Sequence, residues 1–441
     1  MQKLSPSVST NSHFTPPENC RCIIIGGGVA GLSAGLRLAQ RGANPWVLEA
    51  APQLGGRARS FDDPDFDQPL DNGPHLLVGA YRQTRKLLRD AGAPLRCDES
   101  LGRRYPLWDV EHGLHGLDLA RWPAPAHLAG GLLGMPGMGW GALRAALRLL
   151  PGMLRPWALH GLSATHWLQN AGQGEGLFRR LWEPLCLATL NEPPGSADAV
   201  LLARVMRELF LAGPAAAQPL IPAADLNTTL IAPLKQAIEG LGGRITTRAR
   251  VMALDLGGQR VRGAMTARGP IFHDGAWIVA TPRRAAVKLL NPWSAAQPWA
   301  EGEESPIVSV HLRFAAPVAL PAPMLGLPGC VSQWLFQPAP DRISAAISAA
   351  YREVHWESSR IVDAVLADLA AVTGDAPPPL RAQRVIKEAR ATFCAWPEAP
   401  RADPATPWEN LHLAGDWTDT GLPATIEGAV ISGEQAARRS R

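Results

Sequence analysis

The feature that most constrains this chain is the stretch from Cys22 to Glu49. Three apolar β-formers, Ile23-Ile24-Ile25, run into Gly26-Gly27-Gly28-Val29-Ala30-Gly31. A helical pattern continues through Arg41, and a second apolar run, Trp46-Val47-Leu48, ends in Glu49. Strand, G-x-G-x-x-G loop, helix, strand and terminal acid in this order predict a dinucleotide-binding βαβ unit. Gly26 permits the tight turn. Gly28 lets a pyrophosphate approach the backbone, and Gly31 lets helix and strand pack closely. The helix N-terminus offers unpaired N–H groups and the positive end of its dipole to phosphate. Gly26, Gly28, Ala30 and Gly31 are thus the expected phosphate-loop residues. Glu49, 18 positions beyond Gly31, is the expected partner of the adenosine ribose hydroxyls.

A second nucleotide signature closes the chain. Leu411-His412-Leu413-Ala414-Gly415-Asp416 reads as a short strand ending in Gly-Asp, and Thr425-Ile426-Glu427-Gly428 opens a helix. Two docking points almost 400 residues apart suit an extended FAD better than an NAD held by one local fold. Gly55-Gly56-Arg57 resembles the G-G-R motif of the flavin amine oxidase and phytoene desaturase superfamily, and Ala414-Gly415-Asp416 resembles its terminal motif. Asp71-Asn72-Gly73-Pro74-His75, Leu181-Trp182-Glu183-Pro184 through Asn191, and Gly415-Asp416-Trp417-Thr418 through Gly428 are similar to the squalene-associated branch, the hydroxysqualene dehydroxylases. The similarity spans about residues 20–441. Pro74 departs from it, since a polar residue is expected there.

That resemblance implies non-covalent FAD bound by Gly56, Arg57, Gly415, Asp416 and Ile426 as well as the phosphate loop, with the Val251 backbone against the adenine. It implies an apolar isoprenoid substrate and reductive removal of an allylic hydroxyl in squalene and hopanoid synthesis. A carotenoid or squalene-type desaturase is the enzyme alternative. A flavin-bound lipid carrier without turnover is the alternative from another class.

At 441 residues, with 46% hydrophobic and 19% charged residues, the chain is long and apolar enough for a large folded core. The net charge of +4 and the lack of an aromatic-basic motif argue against nucleic acid. Six scattered cysteines show no metal spacing and suggest reduced thiols in a cytoplasmic protein. The expected fold is α/β plus α+β: a discontinuous Rossmann-like FAD-binding domain from residues 20–80, 225–290 and 405–441, and a mixed helix-and-sheet substrate domain from 81–224 and 291–404. Residues 1–19, rich in Ser, Thr, Pro and Asn, read as a flexible tail without the apolar core of a signal peptide. Residues 81–224 read as mainly helical. Alternation places Val308, Val310, Leu312 and Phe314 on one strand face, with Ser309, His311 and Arg313 on the other. Ile361, Val362, Val365, Leu366, Leu369 and Val372 form a helical stripe closed by Gly374.

From Trp122 to Leu143 no Lys, Arg, Asp or Glu occurs. Pro123, Pro125, Pro136 and repeated glycines make this a poor membrane span. Arg144, Arg148 and Arg155 then alternate with Leu143, Leu147, Leu150 and Leu154, so 122–154 is either a monotopic membrane-contacting segment or a buried helical hairpin with a basic edge. Only three tyrosines occur, which disfavours a tyrosine cage, although Trp417 can supply one wall. Loss of a hydroxyl as water needs a proton, and His75 is the candidate donor. The competing reading is a histidine that hydrogen-bonds a carbonyl and shapes its loop. Asp71 reads as a turn residue, with a substrate-side polar group as the alternative, and Glu427 as orienting the last helix.

Overall fold

The computed structural model describes residues 14–440. Its organising element is a five-stranded parallel sheet in the order Arg244–Thr246, Trp46–Leu48, Cys22–Ile25, Ala276–Val279, Leu411–Leu413. The strands come from three distant stretches of chain. Parallel sheets are covered on both faces, which is why the three central strands, Trp46–Leu48, Cys22–Ile25 and Ala276–Val279, are uniformly apolar. Successive side chains still alternate in direction. Ile24, Val47 and Ile278 pack with Ala30, Ala34, Leu38, Ala436 and Ala437. Ile23, Ile25, Trp46, Leu48, Trp277 and Val279 face the opposite way, into the largest core cluster.

The helix Val29–Ala39 lies between the sheet and the helices Ala232–Gly240 and Ile426–Arg439, with every residue but Arg37 buried. A Cβ at Gly433 on the last helix would run into the Ala30 carbonyl, so only glycine allows this close crossing. Arg37 seals the exposed edge, bonded to Glu434 at 2.6 Å and Asp90 at 2.6 Å. Residues 1–13 of the expected tail lie outside the described residues. Phe14 is not free: its ring packs 4.8 Å from that of Trp46, because joining the two aromatic surfaces removes both from water.

A seven-stranded sheet forms the second layer, in the order Leu380–Phe393, Glu304–Phe314, Arg342–Ser348, Trp334–Ala339, Met324–Gly326, Arg104–Asp109, Gly113–Asp118. Val308, Val310, Leu312 and Phe314 pack with Ile343, Ala345 and Ile347 beneath Ile361, Val362, Val365 and Leu369 of the helix Ser358–Thr373. Gly374 ends that helix at φ 79°, the left-handed conformation that glycine adopts without a Cβ penalty. The opposite sheet face, with Ser309, Trp334, Phe336, Ala346 and Ser348, borders a large cavity.

The expectation that 81–224 is mainly helical is corrected in part. Arg104–Asp109 and Gly113–Asp118 form a hairpin that extends this sheet, and Cys97–Asp98 pairs with Pro219–Pro222. Pro106 and the charged end residues Arg104 and Asp109 hide the period-two pattern of the hairpin's first strand. The rest of the segment is helical and packs around Trp167, Trp182, Cys186 and Leu202. No helix among the described residues is long and apolar enough to cross a membrane. The stretch 122–154 is broken into Ala126–Gly134, Trp140–Leu147 and Leu150–Leu154.

Candidate active site

The C-terminal ends of the parallel strands and the inner face of the second sheet enclose one cavity of about 1910 Å³. Pockets for ordinary small ligands run to roughly 300–1,000 Å³, so this space suits a large cofactor together with a long substrate. Gly26, Gly28, Ala30, Glu49, Gly56, Arg57, His75, Val251, Gly415, Asp416 and Ile426 all line it. Gly31 stands one layer back, where a Cβ would run into the Gly26 carbonyl.

The glycine loop separates its tasks by residue. Gly26 turns at φ 114°, and a Cβ there would collide with the carbonyl of Ala280, just past the neighbouring strand Ala276–Val279. Gly28 has ordinary extended torsions, φ −75° and ψ 178°, and a Cβ there meets no protein atom within 4 Å. The space in front of Gly28 is therefore a cradle open to the cavity, at the N-terminus of an 11-residue helix. Glu49 is held by backbone: Oε2 accepts from Gly27 N–H at 2.7 Å and Oε1 from Ala51 N–H at 2.7 Å. An extended dinucleotide fits this arrangement of open cradle, helix N-terminus and anchored acid.

Arg57 and Asp416, 359 positions apart, meet on the cavity wall with Nη2 to Oδ1 at 2.6 Å. Burial opposes the Arg57 charge, but Asp416, Glu388 and Glu304 outweigh it and raise its pKa. Asp416 thus joins the G-G-R loop to the terminal motif. Thr425 caps the last helix, accepting from Gly428 N–H at 3.0 Å. Glu427 does more than orient that helix. Its buried carboxylate accepts from Gln83 N–H at 2.8 Å, Thr84 N–H at 2.9 Å and the Thr84 hydroxyl at 2.6 Å, capping the helix Arg82–Asp90. Burial raises its pKa against those bonds. Trp417 lines the cavity, with Nε1 bonded to the Thr281 carbonyl at 2.9 Å and its ring 5.2 Å from that of Trp299.

His75 lies in the loop before the short strand Leu77–Val78. Its Nδ1 is 2.6 Å from the Gly73 carbonyl. A carbonyl only accepts, so Nδ1 carries a hydrogen and Nε2 is the nitrogen left to exchange one. The bond also shapes the loop, as the competing reading holds. Burial lowers the His75 pKa, and nearby Asp71 partly offsets this. Asp71 is fixed by the Ser60 hydroxyl at 2.6 Å and Leu226 N–H at 2.9 Å, a structural role.

Asn191 gave no individual signal in the sequence. It ends the helix Glu183–Leu190 at φ 55°. Its amide donates to Thr392 Oγ1 at 2.9 Å, and its Oδ1 accepts from Ala349 N–H at 2.6 Å. Ser305 Oγ donates to its carbonyl at 2.6 Å. One side chain thereby ties the helical layer to the sheet at the cavity wall. A polar residue after a helix suggests a cap, but its distant partners are visible only in the fold.

The model of the family described as flavin containing amine oxidoreductase matches residues 29–439. A relative from Sinorhizobium fredii named hydroxysqualene dehydroxylase is 35% identical over 96% of this chain and 98% of its own length. One of the same name from Rhodopseudomonas palustris is 34% identical, over 94% and 96%. An oxidoreductase structure from Methanosarcina mazei superposes with a TM-score of 0.73 at 16% identity, covering 95% of this chain and 99% of the other, which shows the shared fold. The chain belongs to the flavin-containing amine oxidoreductase family and, within it, to the hydroxysqualene dehydroxylases.

Proposed function

We propose that this protein is an FAD-dependent oxidoreductase that removes the hydroxyl of hydroxysqualene to give squalene. The observation that carries this reading is the shared cavity, in which a phosphate-loop cradle and a sheet face carrying Trp334, Phe336 and Ala346 open into the same space. The glycine loop would receive the pyrophosphate, Glu49 the ribose and the Val251 backbone the adenine. Gly56, Arg57, Gly415, Asp416 and Ile426 would hold the remainder. Bound FAD would supply the hydride chemistry. Leu76, Val78, Trp334 and Phe336 offer apolar surface to the hydrocarbon and keep bulk water from the reacting carbon. His75 would protonate the departing hydroxyl through Nε2, with Nδ1 anchored on Gly73.

The proposed substrate is a long, membrane-soluble isoprenoid alcohol, so we place the protein in the cytoplasm, reversibly on the inner leaflet. Five of the eleven exposed large hydrophobic residues among the described residues, Trp122, Trp140, Leu147, Leu154 and Trp157, fall in one stretch of chain. Trp157, 67% exposed, also lines the cavity with Pro156, so apolar surface continues from the outside to the substrate space.

The test is anaerobic incubation of FAD-loaded protein with hydroxysqualene and a reductant, followed by mass spectrometry of the lipid. Loss of one oxygen atom with formation of squalene is expected. A product carrying a new double bond would indicate a desaturase, and unchanged lipid would indicate a carrier.

A further inference from the structure

We propose that Arg401 is a positioning residue, a guanidinium clamp that sets the backbone of the terminal cofactor loop from behind. Arg401 belongs to none of the sequence motifs. It follows the strand Leu380–Phe393 and does not border the main cavity. The loop Asp416–Pro423 does border it, at Asp416, Trp417, Asp419, Thr420, Gly421 and Leu422.

The guanidinium reaches several points of that loop at once. Nη1 donates to the Leu422 carbonyl at 2.6 Å. Nη2 donates to the carbonyls of Asp416, at 2.8 Å, and Thr418, with Thr420 Oγ1 at 3.5 Å. The Phe393 ring, itself a cavity wall, lies 4.5 Å from the guanidinium carbon and limits its movement. Burial pushes the Arg401 pKa down to about 10, with Asp419 and Asp416 opposing, so the clamp stays charged at neutral pH.

The geometry has a consequence on the cavity side. In a trans peptide the carbonyl and the following N–H point in opposite directions. Holding the Asp416 carbonyl on Arg401 therefore aims the Trp417 N–H away from Arg401. No protein acceptor among the described residues takes that N–H. Arg401 thus leaves a backbone donor of a cavity-lining residue free for a ligand, while the Asp416 side chain is held by Arg57. Lysine cannot reproduce this, because one ammonium cannot span carbonyls as far apart in the loop as Asp416 and Leu422 with a planar fork.

The experiment uses full-length R401K. The apoprotein is titrated with FAD, and hydrogen exchange is followed along the apoprotein chain. R401K should keep cooperative unfolding, bind FAD roughly 10–100-fold more weakly, and exchange faster within Asp416–Pro423 while the parallel sheet stays protected. If charge alone mattered, lysine would rescue both readouts, and that rescue would overturn the proposal. Faster exchange spread evenly over the chain would also overturn it, since it would mark a general stabiliser. Should R401K fail to fold, Phe393→Leu, which frees the guanidinium without removing its bonds, should raise exchange in the same loop of the apoprotein. Unchanged exchange there would refute the clamp.

Discussion

Replacing Gly28 should separate cofactor binding from folding. Its φ of −75° and ψ of 178° suit any L-residue, and a Cβ there meets no protein atom within 4 Å. Gly28→Ala should therefore cost the apoprotein no more than about 1 kcal/mol, the scale of a weakened helix N-cap. The same methyl group stands where the phosphate would approach. Each hydrogen bond to a charged group is worth about 1.5–3 kcal/mol, so withdrawal from one or two backbone donors weakens FAD by roughly 100-fold. Valine, with more bulk, should prevent retention altogether. Gly26→Ala is the contrasting variant. At φ 114° and against the Ala280 carbonyl, it should cost the apoprotein at least about 1–3 kcal/mol through backbone strain alone. Urea unfolding of the apoproteins and titration with FAD measure the two quantities separately. Wild-type FAD affinity in Gly28→Ala, or an apoprotein as unstable as Gly26→Ala, would refute the assignment of the cradle.

Further predictions concern the proton, a buried histidine and the membrane. His75→Phe should retain FAD but slow dehydroxylation about 10²–10⁴-fold, and a substrate analogue with a better leaving group should recover most of the rate; equal slowing of both substrates would leave His75 a structural role only. Because burial lowers the His75 pKa below 6.5, the wild-type rate should rise as pH falls below that value, and a rate limb unchanged in His75→Phe would assign it to another group. His311, with Nδ1 on Ser344 Oγ at 2.8 Å, is lowered by burial from 6.5 to about 4, with Asp63 opposing and Arg342 assisting. Its folded pKa lies below its unfolded value, so it contributes stability above pH 6.5 that is lost as pH falls toward 4, up to about 3 kcal/mol. The stability difference between wild type and His311→Gln should change across that window, and a constant difference from pH 4 to 8 would refute the shift. The protein should float with anionic liposomes at low salt and be partly released by high salt, and Trp140→Ser with Trp157→Ser should reduce flotation; liposome binding unaffected by both substitutions would remove this segment from the interface.

The βαβ unit is legible because local physics defines it. Ile23-Ile24-Ile25 must be a buried strand, Gly26 must turn where a Cβ is excluded, and Val29 onward must be a helix. The same holds for Val308 to Phe314 and for the stripe from Ile361 to Val372 closed by Gly374, where periodicity and a glycine cap act within a few residues. The motif residues carry their chemistry in their identities, so those expected at the cofactor could be named from the sequence, and the fold brings all of them but Gly31 to the wall of one cavity. Arg104–Asp109 was not legible, because its partner strands lie partly beyond residue 320 and its own pattern is interrupted by Pro106.

By itself, then, the sequence determined the strand, glycine turn and helix of the βαβ unit and the helix closed by Gly374, and it named the side chains proposed to meet a dinucleotide. Tertiary structure alone decided that strands from three distant stretches share one sheet and that Arg57 meets Asp416. It also decided that Glu427 caps a helix 343 positions away, and that Arg401 reaches behind the terminal loop. The physical reason is range. Backbone torsion and side-chain periodicity act over a few residues and leave a local imprint. A buried charge or amide needs only some partner of the right shape, and packing of the whole chain selects which one.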